Sequence, residues 1–195
     1  MFKLSKVTLI TLTGIGYKTK EHLEALKKSQ EEINFGAVKL VELKEIVDID
    51  SWNKAVIYEL PKWVYTPFAL FIHADGYVIN PEMWTNRWLQ YDYIGAPWPL
   101  PKDNFSYKDE EGNLVRVGNS VSLRSKRLMD LVATREWKYY FGNCNEDGFI
   151  ACHNRKWLES KGCKFAPIEV AKYFSKEWEV AENKNIKKTF CFHQI

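Results

Sequence analysis

The sequence predicts an α/β domain spanning residues 1–195 with mostly parallel strands, and three adjacent segments predict it. VTLITLT (7–13) is a β-branched run closed by Gly14 and Gly16. KTKEHLEALKKSQEEI (18–33) has the spacing of an amphipathic helix. AVKLVEL (37–43) is a second strand-like run. A strand, a helix and a strand in direct succession form a βαβ unit, whose strands pair in parallel. The chain has 195 residues and no repeat, linker or low-complexity tract, which suits one domain of ~100–200 residues.

Each further element follows from local pattern. In the first helix Leu23, Leu26 and Ile33 make the apolar stripe, and Gly36 ends it. Residues 52–64 read as a second helix rich in Trp and Tyr. FALFIH (68–73) is a third, buried strand. PEMWTNRWLQY (81–91) reads as helical, with Pro81 near its first turn. YDYIGAPWPLP (91–101) is dense in proline and aromatics and runs into the polar loop 102–113. VRVGNSVSL (115–123) alternates like a strand. SKRLMDLVATREW (125–137) and NEDGFIACHNRKWLESKG (145–162) read as helices, and CKFAP (163–167) and KKTFCFHQI (187–195) as strands.

Composition narrows the function classes. There are 28 basic and 25 acidic residues, a net charge of +3, and the basic residues are scattered, so no nucleic-acid partner is expected. Aromatic content is 15%, with eight tryptophans, enough to fill a core and still supply stacking faces in a cleft. The four cysteines, 144, 152, 163 and 191, form no C-x-x-C pair. The grouping of Cys152, His153 and Cys163 matches no common zinc spacing. Dispersed thiols of this kind fit a reduced, cytoplasmic protein. No apolar run approaches ~18 residues, so no transmembrane segment is expected. The opening residues lack a cleavage site, and Thr8, Thr11 and Thr13 interrupt them, so they read as a strand and not as a leader.

Three places could carry chemistry. His73 and Asp75 stand two apart at the carboxyl end of a strand, where α/β sheets bind ligands. Asp75 is a hard oxygen donor for Mg²⁺ or Mn²⁺, and His73 suits Mn²⁺ better than Mg²⁺. A turn aspartate followed by Gly76 is the plain alternative. Glu146 and Asp147 open a helix, where acids also serve as caps. His193 sits in an apolar tail. The stretch VGNSVSLRS adds Gly118 and Asn119, where backbone can approach a ligand, and Arg124, which can grip phosphate or carboxylate by two bonds.

The order of these segments resembles a family of small glycosyltransferase-like domains, catalogued largely as domains of unknown function and related to nucleotide-sugar transferases of the GT-A fold. The shared features are Asp75-Gly76 after the third strand, the run at 91–98, the Glu146-Asp147 pair and a terminal histidine, here His193. The resemblance implies a GT-A-like three-layer α/β/α sandwich. It also implies a metal-dependent, inverting glycosyltransferase that takes a nucleotide-sugar donor, a UDP-sugar by analogy, and a glycan or other hydroxyl acceptor. In that scheme Asp75, His193 and His73 hold Mn²⁺ or Mg²⁺, and Asp147, or else Glu146, is the general base. Thr11, Thr13, Gly76, Gly118, Asn119 and Arg124 contact the donor, and Trp98 stacks on the acceptor.

The sequence departs from the family in three places. The family has Gly-Asn-Gly-Gly-aromatic-Ser-Leu-Arg where this chain has Gly118-Asn119-Ser120-Val121-Ser122-Leu123-Arg124. The family's terminal Phe-Gly-Phe-His-Gly is here Phe190-Cys191-Phe192-His193-Gln194, so Cys191 and Gln194 stand where the family has glycines. His73 stands where GT-A enzymes commonly have the first aspartate of Asp-x-Asp. These departures leave a second reading, a non-catalytic carbohydrate- or nucleotide-binding module of the same fold. A sugar nucleotidyltransferase fits less well, because the glycine-rich phosphate loop it needs is reduced here to Gly14-Ile15-Gly16.

Overall fold

The computed structural model describes residues 2–138 and 145–193, with backbone alone at Asn119 and Ser120. Eight strands and six helices follow one another as β1 (Phe2–Gly14), α1 (Thr19–Ser29), β2 (Ile33–Leu43), α2 (Ile49–Tyr58), β3 (Phe68–Phe71), β4 (Gly76–Val78), β5 (Tyr93–Pro97), β6 (Val117–Ser125), α3 (Lys126–Val132), α4 (Glu146–Gly148), α5 (Arg155–Ser160), α6 (Ile168–Phe174), β7 (Ser175–Lys176) and β8 (Cys191–His193). A π-helical turn, Phe149–His153, joins α4 to α5.

The main sheet has the order β2-β1-β3-β6-β5. β1 pairs in parallel with β2 and with β3, while β6 is antiparallel to both β3 and β5. The sheet is therefore mixed, and the expectation of mostly parallel pairing is corrected. The cause lies in the connection from β5 to β6, which contains no helix. A strand that returns beside its predecessor without a crossover must run the other way.

The β1-α1-β2 and β2-α2-β3 connections step in opposite directions across the sheet, the second passing over β1 to reach β3. Crossovers of one hand that step in opposite directions put their helices on opposite faces of the sheet. The packing agrees. Leu9, Leu70 and Leu123 pack with Ala25 and Leu26 of α1 and with Ala171 and Phe174 of α6. Ile10, Leu12, Ala69 and Phe71 pack with Ala55 and Val56 of α2 and with Met129 of α3. Apolar residues on both faces of β1 explain why VTLITLT is a continuous run and not an alternating one.

Local chemistry sets several boundaries. Asp48 and Ser51 form a reciprocal capping box that starts α2. Ser125 accepts from the Leu128 N–H and starts α3. In α1 the buried face is His22, Ala25, Leu26 and Ser29. Leu26 is on that face as the sequence predicts, but Leu23 is 52% exposed and Ile33 belongs to β2, so His22, Ala25 and Ser29 complete the face in their place. PEMWTNRWLQY makes two short 3₁₀ turns, Pro81–Met83 and Asn86–Gln90. CKFAP contributes a single bridge, Phe165 to Tyr93.

A second, three-stranded sheet has the order β4-β8-β7. The central strand β8 is antiparallel to β4, with Gly76 opposite His193, and parallel to β7, with Ser175 opposite Cys191. No helix among the described residues is long and apolar enough to cross a membrane. Cys152, Cys163 and Cys191 are buried free thiols, and Cys144 lies outside the described residues.

Candidate active site

In the main sheet the chain leaves β1 for β2 on one side and then returns past β1 to β3 on the other, so the carboxyl ends of β1 and β3 border a crevice of the kind that binds ligands in open α/β sheets. A cleft of about 710 Å³ occupies this place, lined by Thr13 and Gly14 from β1 and by His73 and Asp75 after β3. Its volume is that of a small-molecule site. Asp147, Glu146 and His193 line the same cleft, so the acidic and histidine residues singled out from the sequence meet there. A shallower depression of about 570 Å³ between α1 and the edge strand β2 is walled by Leu23, Leu26, Val38 and Leu40. It gathers no comparable set of polar groups.

Asp75 sits at the tip of a tight turn, Ala74-Asp75, closed by paired hydrogen bonds between His73 and Gly76. Its side chain is half exposed, and Oδ1 lies 3.2 Å from Nε2 of His193. On the other side of that ring, Nδ1 lies 3.2 Å from Oε2 of Glu177. Burial is the largest influence on His193 and disfavours the charged ring. Glu177 and then Asp75 outweigh it and raise its pKa above the usual histidine value. The His73 ring stacks on His193 at 5.0 Å and 29°, and Trp52 and Phe71 pack against His73 in turn.

Glu146 and Asp147 open α4, which packs against β6. Glu146 is buried, and its Oε1 accepts from Arg124 Nη2 at 2.7 Å. Its Oε2 is buried with no hydrogen-bond partner among the described residues. The Asn53 side chain accepts from the Glu146 N–H and fixes the start of the turn. Asp147 accepts from the Gly148 N–H at 2.7 Å. Burial, and then the neighbouring Glu146, push its pKa well above the carboxylate range. Burial also outweighs Arg124 and raises that of Glu146. Two adjacent buried carboxyls do not ionise independently.

The structure places several expected donor contacts elsewhere. Arg124 is 1% exposed, and its guanidinium is committed to Glu146 and to Ser122, so it braces the site from behind instead of reaching a ligand. Trp98 is also buried. Its ring stacks on Tyr107 at 4.8 Å and covers Gly118, where a Cβ would come within 2.2 Å of the indole. Neither Trp98 nor Gly118 offers a face to a ligand, because the glycine exists to admit the indole. Gly76 has a similar reason, since a Cβ there would meet Val121 at 2.6 Å and His193 at 2.8 Å. Thr11 is buried, with Oγ1 2.6 Å from His22 Nδ1. Thr13 lines the cleft but spends its hydroxyl on the Tyr17 carbonyl. Asn119 is placed by its backbone in β6, opposite Ala96.

Sequence reasoning missed Glu177, His22, Lys18, Tyr17 and Trp52, all of which line the cleft. Trp52 takes the place foreseen for Trp98 as an aromatic wall, with its indole N–H bonded to the Leu12 carbonyl. Burial chiefly lowers the His22 pKa, against the pull of Asp75. Ile15, Tyr17, Val47 and Ile49 stand exposed on the two lips of the cleft. Apart from Glu177, which follows β7, the only signal available for these residues was position, since each lies in a loop that follows β1 or β2 or early in the helix after it.

No group of three or more His, Cys, Asp or Glu side chains among the described residues is arranged to hold a metal ion. Asp75 and His193 form a facing pair of oxygen and nitrogen donors. Mg²⁺ and its congeners use one or two protein ligands and complete their shell with water and substrate phosphate. Facing donor atoms 3.2 Å apart suit two neighbouring positions on one octahedral ion.

No curated protein matches the sequence. Residues 38–193 match the model of the family described as protein of unknown function DUF5672; the match covers most of the chain, and the protein belongs to that family.

Proposed function

We propose that the protein is a metal-dependent glycosyltransferase with a GT-A-like α/β/α arrangement, moving a sugar from a nucleoside-diphosphate donor to a hydroxyl acceptor with inversion. The observation that supports this most is the convergence of Asp75, His193 and Asp147 on one cleft at the topological switch point. A second observation supports the cation. Besides Glu146, which is paired with Arg124, and Asp147, whose pKa is raised, the cleft carries Asp48, Asp75 and Glu177 against one lysine, Lys18, so positive charge is needed to offset carboxylates facing a diphosphate.

In this reading Asp75 and His193 would hold Mn²⁺ or Mg²⁺, which when bound would supply Lewis-acid screening of negative charge on a nucleoside diphosphate. The apolar lips at Ile15, Tyr17, Val47 and Ile49 receive the base of the nucleotide, and Trp52 offers a stacking wall. Asp147 has one oxygen committed to the Gly148 N–H and the other available for the acceptor. The acceptor oxygen attacks the anomeric carbon, its proton passes to Asp147, and the bond to the diphosphate breaks with its electrons on the leaving group. Direct displacement inverts the anomeric centre. Glu146, gripped by Arg124, anchors the turn that presents Asp147.

Calorimetric titration of UDP, GDP and dTDP, each with and without Mn²⁺, tests the reading. One nucleotide is expected to bind only with Mn²⁺, and Asp75→Asn is expected to abolish that binding. A protein that binds none of them, or binds one equally without metal, is not this enzyme. Metal-independent sugar binding would make it the non-catalytic module of the same fold.

A further inference from the structure

The three-stranded sheet is small, yet it puts three side chains in line. Asp75 immediately precedes β4, His193 ends β8, and Glu177 immediately follows β7. The registers Gly76 to His193 and Lys176 to Phe192 bring the first and third of these to opposite edges of the imidazole. Glu177 Oε2 is buried, with no hydrogen-bond partner among the described residues. The group it faces, at ion-pair distance, is His193 Nδ1 at 3.2 Å.

We propose that Glu177 is the positioning residue for His193: it fixes the ring so that Nδ1 points to Glu177 and Nε2 points to Asp75. The inference rests on the cation reading above and adds to it the residue that makes His193 a competent donor. Histidines that bind a metal through one nitrogen generally give the other N–H to a carboxylate, which sets tautomer and orientation. Glu177 is on the far side of the ring from Asp75, so it serves the ring and not the ion. The stacked His73 ring limits tilting of the imidazole, and Glu177 supplies the missing constraint, rotation within the ring plane. The side chain is 12% exposed, which keeps water from competing for Nδ1.

Two measurements on the full chain test this, with Glu177→Ala and Glu177→Gln. Long-range ¹H–¹⁵N correlation spectra, with His193 assigned through His193→Gln, report the imidazole nitrogens in metal-free protein. Calorimetry reports Mn²⁺ affinity. Glu177→Ala is expected to change the Nδ1 resonance of His193 and to weaken Mn²⁺ binding by roughly 10–100-fold. Glu177→Gln, whose carbonyl can still accept from Nδ1–H, is expected to restore most of both; a loss caused only by disturbed packing would not follow that order. Unchanged Mn²⁺ affinity in Glu177→Ala, with binding lost in Asp75→Asn, overturns the role of Glu177 and leaves the cation reading standing. A wild-type protein that binds no Mn²⁺ overturns both.

Discussion

Replacing Asp147 by asparagine is expected to lower turnover by roughly 10²–10⁴-fold, the range a positioned general base contributes, with nucleotide binding retained. The amide keeps the size of the carboxyl and can still accept from the Gly148 N–H, so the change falls on proton transfer alone. A base must be ionised to act, and burial and Glu146 raise the pKa of this carboxyl. Turnover of the wild type is therefore expected to climb with pH as Asp147 ionises, and the asparagine variant to lack that limb. Stability runs the other way. Between the ordinary carboxylate pKa and the raised one, the folded protein binds more protons than the unfolded chain. The contribution is full below the unfolded pKa and is lost as pH rises through the folded value. Asp147→Asn is expected to unfold at higher urea concentration than the wild type at pH 8 and at nearly the same concentration at pH 4. A pH–rate profile alongside urea titrations at both pH values checks the two halves separately.

Arg124→Met is expected to cost roughly 3–5 kcal/mol of stability, the range for removing one partner of a buried ion pair. Arg124 and Glu146 are each 1% exposed, and without the guanidinium Glu146 must stay buried unpaired, take up a proton or pull α4 open. The guanidinium also lies over the Phe71 and Tyr93 rings, at 4.9 and 5.6 Å. The methionine refills that volume, so the loss reports mainly the stranded carboxyl. Adding Glu146→Gln is expected to recover most of the stability, since replacing both partners is far milder than removing one. Urea midpoints of the two single variants and the double variant measure the coupling. A double variant as unstable as Arg124→Met would assign the cost to packing against the rings.

The unequal legibility of the sequence follows from the length of its elements. β1, α1 and β2 are long enough for β-branched runs and helical spacing to declare themselves, and they fix the βαβ unit and the crevice beside it. β4, β7 and β8 have two or three residues each, too few for any period, so of the second sheet only β8, inside the apolar segment 187–195, was legible and β4 and β7 left no trace. Direction is likewise a property of connections: Tyr93–Pro97 did not read as a strand, so the helix-free loop after it could not be recognised as a return to an antiparallel β6. Among site residues, Asp75 and Asp147 stood out because carboxylates beside apolar runs are uncommon. Glu177 did not, because it stands in the charged stretch Lys176-Glu177-Trp178-Glu179 and its partner, His193, comes from a strand elsewhere in the chain. Trp98 and Arg124 misled for one reason. A stacking ring and a forked cation suit a ligand or a core equally well, and only the buried environment distinguishes the two uses.

The second sheet also bears on the order of folding. Asp75 and His193 are 118 positions apart, so pairing β4 with β8 closes a long loop and fixes only a handful of backbone hydrogen bonds in return. Loop-closure entropy disfavours that exchange unless other contacts have already drawn the ends together. The main sheet does so, by holding β3 just before β4 and by seating α6 just before β7 against β5. The end of the molecule that carries the cleft is thus expected to assemble last. In pulse-labelled hydrogen exchange during refolding, the amides of Cys191 and Phe192 should gain protection after those of Leu9 and Leu70. Simultaneous protection would mean that both sheets condense in one step.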